Sequence, residues 1–199
     1  MDNDIIQKIT ELFDKARLLE EQKRIPEALS TYLNILKIFP HHVSALNNTA
    51  AIFAEYYNNP KSALECYNQA IRNDPKNVAS IIGKGSLMVT LQNSDDAMLY
   101  YKAALKVESK NIDAKIGIAN LRLLNGENEL GLKMLNEILE IDPNNIQALY
   151  NKATLLGMMD DLDTSIELFD KILEKDPTNQ AAIYNKSYAE FLQNRKTRE

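Results

Sequence analysis

Four times along this chain a helix-breaking proline returns in one register, at a step that is a near-fixed repeat or twice it. Pro40, Pro75, Pro143 and Pro177 share one register, with Ser109 filling the gap, at steps of 35, 34, 34 and 34 residues. Twelve positions before each lies a small residue: Ala28, Ala63, Ala97, Gly131, Ser165. Four positions after that small residue comes a large one: Tyr32, Tyr67, Tyr101, Leu135, Phe169. A second small series precedes the first: Ala16, Ala50, Gly85, Ala119, Ala153 and Ser187, with one extra residue in the "YYNNP" turn. A unit this short cannot bury its own apolar face, so successive units must stack and share a core.

Each unit reads as two helices. Leu149, Ala153, Leu155 and Leu156 recur at helical spacing in one half, and Ile166, Phe169, Ile172 and Leu173 in the other. The turns "NNPKS", "QNSDD", "NGENE" and "MDDLD" separate the halves. Proline closes each unit, because it has no amide to donate and cannot continue a helix. Asn77, Asn111, Asn145 and Asn179 then stand where a side-chain oxygen can take an orphan amide at the next helix start. Small residues belong where two helices cross closely, and the large ones fill the space beside them.

On these residues the chain resembles the tetratricopeptide repeat, a helix-turn-helix unit of about 34 residues. The resemblance runs over residues 9–193. It predicts an all-α, right-handed helical solenoid with five repeats (9–42, 43–77, 78–111, 112–145, 146–179) and a capping helix at 179–194, eleven helices in all. Repeat four departs from the pattern most: Lys115 and Arg122 replace apolar residues, Gly131 replaces Ala, and Ser109 replaces Pro. That repeat is expected to be the loosest.

The resemblance also implies a concave surface lined by the first helix of each pair. The positions facing it include Phe13, Ile82, Ile116, Tyr150 and Tyr184, then Asn48, Asn151 and Asn185, then Asn120 and Tyr188. The recurring Tyr-Asn-Lys of "LYNKATLL" and "IYNKSYAE" thus lies on one stripe, with Lys84, Lys152 and Lys186 laying their stems along the packing interface and their ammonium groups outside. Asparagine offers a donor and an acceptor in one amide, which suits holding an extended backbone; pairing with neighbouring helices is the plainer use. Asn48, Ile82, Ile116, Asn120, Tyr150, Asn151, Tyr184, Asn185 and Tyr188 are therefore the candidate binding residues. Tyr184, Tyr188 and Phe191 share one face of the last helix, with Ile183 and Ser187 expected to pack inward and Lys186, Glu190, Gln193 and Asn194 to form a polar outer side.

The carboxylate clamp known in this family needs cations that the chain lacks: its first window reads Phe13, Arg17, Asn48, Ala79, Gly83, and its last Ile116, Asn120, Asn151, Ala181, Asn185. No enzymatic motif stands out. "GKGS" at residues 83–86 lacks the earlier glycine and strand of a phosphate loop. His41-His42 has no nearby cysteine or carboxylate partners for a metal, Cys66 has no histidine in its own unit, and "DDLD" lacks calcium-loop spacing. A net charge of −5 with mixed signs argues against a nucleic-acid surface. No apolar run reaches the roughly 18 residues of a membrane span, the acidic first residues differ from a secretory leader, and a lone cysteine suits a reducing compartment. The expectation is a cytoplasmic, cofactor-free scaffold that binds a protein or peptide, with self-association into a homodimer as the alternative.

Overall fold

A computed structural model describes residues 3–196. Among these there are eleven helices: α1 (Asn3–Glu21), α2 (Ile25–Ile38), α3 (Val43–Glu55), α4 (Pro60–Asn73), α5 (Val78–Thr90), α6 (Ser94–Val107), α7 (Ile112–Leu124), α8 (Asn128–Ile141), α9 (Ile146–Met158), α10 (Leu162–Lys175) and α11 (Gln180–Lys196). The chain divides into two compact units, 1–109 and 110–199.

In the first unit α1 packs on α2, α3 on α4 and α5 on α6, and each pair rests on the next through α2–α3, α4–α5 and α3–α5. In the second, α7 packs on α8 and α9 on α10, with α8–α9 and α10–α11 joining them. The small-and-large series explains these contacts. Ala16, Ala28, Ala50, Ala63, Ala97, Ala119 and Ala153 are wholly buried, as are Tyr32, Leu135 and Ile172. A methyl group at each crossing lets the helix backbones approach, and the neighbouring large side chain fills the wedge this leaves. Truncating one of those large residues to Ala would cost about 3–5 kcal/mol.

The helix ends follow from local chemistry. Asn77, Asn111 and Asn145 accept the amides of Ser80, Ala114 and Ala148 at 2.9–3.0 Å, and Asn179 accepts that of Ala182 at 3.0 Å. In α3 the same place is held by His42, whose Nδ1 accepts from the Ala45 amide at 3.1 Å. The two adjacent histidines thus differ: His41 is exposed, while His42 is half-buried and caps a helix. Between the helices of each pair, one residue turns left-handed: Lys23, Asn58, Gln92, Gly126 and Asp160. Four of these turns close with two amides bonded back to the helix, as Asn93 to Met88 and Gln92 to Val89, and the turn at Asn58 with one, Asn59 to Phe53. Only Gly126 takes that backbone shape without the steric cost of a Cβ.

Repeat four is better satisfied in its chemistry than its sequence implies. The Lys115 ammonium, on a largely buried side chain, donates to Glu137 at 3.0 Å. Arg122 pairs with Glu127. Gly131 leaves no void, because a Leu123 methyl occupies the place a Cβ would take.

The last helix corrects one expectation. Ala182 and Ala189 are buried, whereas Ile183 and Ser187 are not. The side read as polar and outward is the one facing α10: Lys186 donates to Asp170 at 2.6 Å, and Gln193 bonds to Asp163. Lys84 behaves alike, donating to Asn68 at 2.6 Å beneath the Tyr100 ring. These lysine ammonium groups end on the preceding helix pair.

Candidate protein-binding surface

Two of the nine candidate residues lie in the first unit. Asn48 is half-buried and donates from Nδ2 to the Tyr32 hydroxyl at 2.7 Å, and that hydroxyl donates to Glu20 Oε1 at 2.5 Å. Burial and the Glu20 carboxylate both raise the Tyr32 pKa, so the phenol stays protonated and the relay holds its direction. Ile82 is half-buried on α5.

Seven lie in the second unit. Ile116 must be moved from the candidate surface to the core: it is 5% exposed and packs with Ala119, Leu135 and Ile138. Asn151 donates to Asn120 Oδ1 at 2.6 Å. Tyr150 is half-buried, its ring 5.9 Å from that of Phe169 in an edge-on contact, and its hydroxyl accepts from Asn185 Nδ2 at 2.8 Å. Asn185 Nδ2 also donates to the Ala181 carbonyl at 2.9 Å. The asparagine amides are thus partly spent on holding α7, α9 and α11 in register. What stays open is aromatic: Tyr184 is 72% exposed, Tyr188 55% and Phe191 61%. An inward core role for this stripe does not fit those exposures.

Beside the stripe is a feature the sequence pattern did not announce. A cavity of about 290 Å³ opens where α9, α10 and α11 meet, lined among others by Thr154, Gly157, Ser165, Phe169, Asn185 and Tyr188. Its origin is a missing side chain. One register earlier, Leu123 fills the space over Gly131; here the matching positions are Gly157 and Ser165. Ser165 spends its hydroxyl on the Ala153 carbonyl at 2.8 Å, while the buried Thr154 Oγ1 has no hydrogen-bond partner. The signal was present in Gly157 and Ser165 but becomes legible only when both helices of a pair are read together.

Among the described residues no three His, Cys, Asp or Glu side chains are grouped to hold a metal. The Cys66 thiol, half-buried, is pushed up to about 11 by burial and then by Glu65, so it remains protonated and unreactive at neutral pH. Among the described residues no helix is long and apolar enough to cross a membrane.

Family models described as tetratricopeptide repeat match residues 13–78 and 54–106, residues 90–155, and residues 147–179. The chain belongs to the tetratricopeptide repeat family. Solved structures agree on the fold of this repeat protein. TTC0263, a thermophilic protein of the family from Thermus thermophilus, superposes with a TM-score of 0.80 at 18% identity, covering 92% of this chain and 99% of that one. Pseudomonas aeruginosa pilF gives 0.78 at 13% identity, over 94% of this chain and 89% of that chain. YrrB, a family member described as having an unusual peptide-binding site, gives 0.60 at 19% identity over 92% and 97%. No curated protein matches the sequence significantly.

Proposed function

We propose that this repeat protein is a non-catalytic scaffold that holds a segment of a partner protein on the face shared by α9 and α11. Tetratricopeptide proteins serve in general as interaction scaffolds, and one structural relative is described as binding a peptide. The observation that carries the reading here is the exposed stripe Tyr184, Tyr188 and Phe191. Large rigid aromatics left in solvent are costly to display and anchor interfaces effectively when covered. Beside them Asn151 keeps an amide hydrogen and its carbonyl oxygen for a partner backbone.

The partner is a peptide segment with apolar anchors, and no cofactor, nucleic acid or membrane enters the reading. A reducing compartment, the cytoplasm, suits the single half-buried thiol. The test is a Tyr184→Ala, Tyr188→Ala double variant, checked first for unchanged helicity and melting. Partner capture should fall at least tenfold. Capture equal to wild type would place the site elsewhere.

A second reading rests on the same stripe, because Ile183 is also exposed on this last helix: a second copy could cover it as a homodimer. Sedimentation over a hundredfold range of concentration separates the two, since the scaffold reading expects a monomer throughout.

A further inference from the structure

We propose that the cavity at Gly157 and Ser165 is a pocket for one aromatic side chain of a bound peptide, with the backbone N–H of that residue accepted by Asn185 Oδ1. The inference rests on the proposed use of the α9–α11 face and names the residue class read there.

Size comes first. A dry apolar cavity of about 150 Å³ holds a benzene ring, and this one, at about 290 Å³, has room for a ring and the chain atoms that carry it. The lining suits an aromatic: Phe169 and Tyr188 offer ring edges and faces, and Met158 a polarisable thioether. Among the described residues no charged side chain lines the cavity. A ligand carboxylate, ammonium or guanidinium would therefore be desolvated there without a counter-charge, which excludes acidic and basic side chains and a free chain terminus.

The polar groups set the orientation. Asn185 gives both amide hydrogens away, one to Tyr150 and one to the Ala181 carbonyl. A backbone carbonyl can only accept, so the nitrogen must face Ala181 and the oxygen is what Asn185 presents. Asn185 can therefore only accept from a ligand, and the ligand must bring a donor. An extended peptide supplies one N–H beside every side chain. Thr154 also lines the cavity from α9, but its hydroxyl oxygen is itself buried, so Asn185 is the polar group that sets the orientation.

The register gives the test its variant. Gly157→Leu restores the side chain that Leu123 supplies one repeat earlier, and a Cβ at this position meets only Ser165, 3.1 Å from its Oγ. The full-length protein, labelled with nitrogen-15, is titrated with N-acetyl-phenylalanine amide, N-acetyl-alanine amide and toluene. The phenylalanine probe should shift the Thr154, Gly157 and Ala189 amides and bind at least tenfold more tightly than either control, one lacking the ring and the other the N–H. Gly157→Leu should abolish the response with helicity intact, and Gly157→Ala, which fills less, should weaken it several-fold and serves if the leucine variant does not fold. Equal responses to all three probes, or shifts unchanged in the leucine variant, would overturn the pocket. So would the same shifts appearing on concentrating the protein without probe, which assigns the cavity to a second copy. Peptides selected from a random library separate the two levels. If they bind wild type and Gly157→Leu alike but lose binding on Tyr184→Ala, Tyr188→Ala, the surface stands and the pocket falls. If they ignore all these substitutions, both fall.

Discussion

The α3–α4 pair and the α7–α8 pair are built to the same plan and held together differently. In α3–α4 the crossing uses Ala50 and Ala63, both wholly buried, Asn59 accepts the Ser62 amide at 3.1 Å to cap α4, and Pro60 starts that helix. In α7–α8 the crossing uses Ala119 and Gly131, α8 begins at Glu127 without a side-chain cap, and the packing between the helices is the sparsest of the five pairs. Two ion pairs and the Leu123 methyl stand in for what is missing. The difference teaches that departures from a repeat pattern are compensated locally, within the pair that carries them. Apolar crossings resist change in volume. Compensated ones resist change in charge and tolerate change in volume, because a leucine terminus can swing aside.

The largest effect should come from attacking both crossings in the same way. Ala63→Leu inserts a branched side chain at a wholly buried position of the α3–α4 pair and should cost about 1–3 kcal/mol. Gly131→Ala adds a Cβ that meets the Leu123 branch, its Cγ as well as one methyl, and no backbone atom closely. That side chain must move, the gain of about 0.5–1 kcal/mol in helix preference offsets part of the cost, and the loss should be smaller than for Ala63→Leu. Urea unfolding of both variants gives the comparison. Equal losses would show that the two crossings are alike and that the compensation in α7–α8 is not real.

A middle-sized effect separates the pairs by pH. The His42 pKa is lowered, first by burial, with its own backbone pulling weakly the other way. The ring packs 5.4 Å from Phe13 and 6.2 Å from Phe39, and its Nδ1 must stay unprotonated to accept from Ala45. A histidine whose folded value is depressed contributes stability above its ordinary value near 6.5, and this contribution is lost as pH falls through 6.5 toward the folded value. Acidification from pH 7.5 to 5 should therefore weaken α3–α4 by about 1 kcal/mol, the worth of a cap, and leave the Asn111 cap of α7 untouched. His42→Asn installs the cap found at the starts of α5, α7, α9 and α11 and should remove most of that slope. If wild type and variant lose melting temperature equally over this range, His42 is not its source.

How much of this was legible in the sequence depends on the range of the cause. The small-large register and the asparagine caps are imposed by neighbours a fixed number of residues away, and they were readable as spacing. Lys115 and Glu137 pair across 22 residues, a distance no period announces, so this compensation within repeat four could not be read from the spacing. Ile116 sits at a position expected on the open face, but Leu135 and Ile138 close over it. In α11 the inward face is Ala182 and Ala189, because the pair α9–α10 is what packs on this helix among the described residues; Ile183 and Ser187 keep the spacing of the earlier repeats but are exposed. The binding stripe could be placed on one helix face by counting. Its exposure could not, since that depends on what fails to pack there.

The smallest effect concerns the uncapped start of α8. Asn59, Asn93 and Asp161 hold the corresponding place before α4, α6 and α10, and accept the amides of Ser62, Asp96 and Thr164 at 3.1, 3.2 and 3.3 Å. Glu127 is one methylene longer than Asp and turns its carboxylate to Arg122 instead. Glu127→Asn should restore the cap, worth about 1 kcal/mol, and lose a half-exposed ion pair worth about 0–1 kcal/mol. The net gain should be about 0.5 kcal/mol. Amide exchange resolves a change this small by position: in the wild type, residues 109–131 should exchange faster than 43–75, and the variant should slow Leu130 and Gly131 while leaving Ser62 and Ala63 unchanged. Arg122→Ala isolates the other term, because it removes the pair without supplying a cap and should speed exchange at the same two amides. If Glu127→Asn leaves them as fast as before, the weakness of this pair lies in its Ala119–Gly131 crossing and not in its cap.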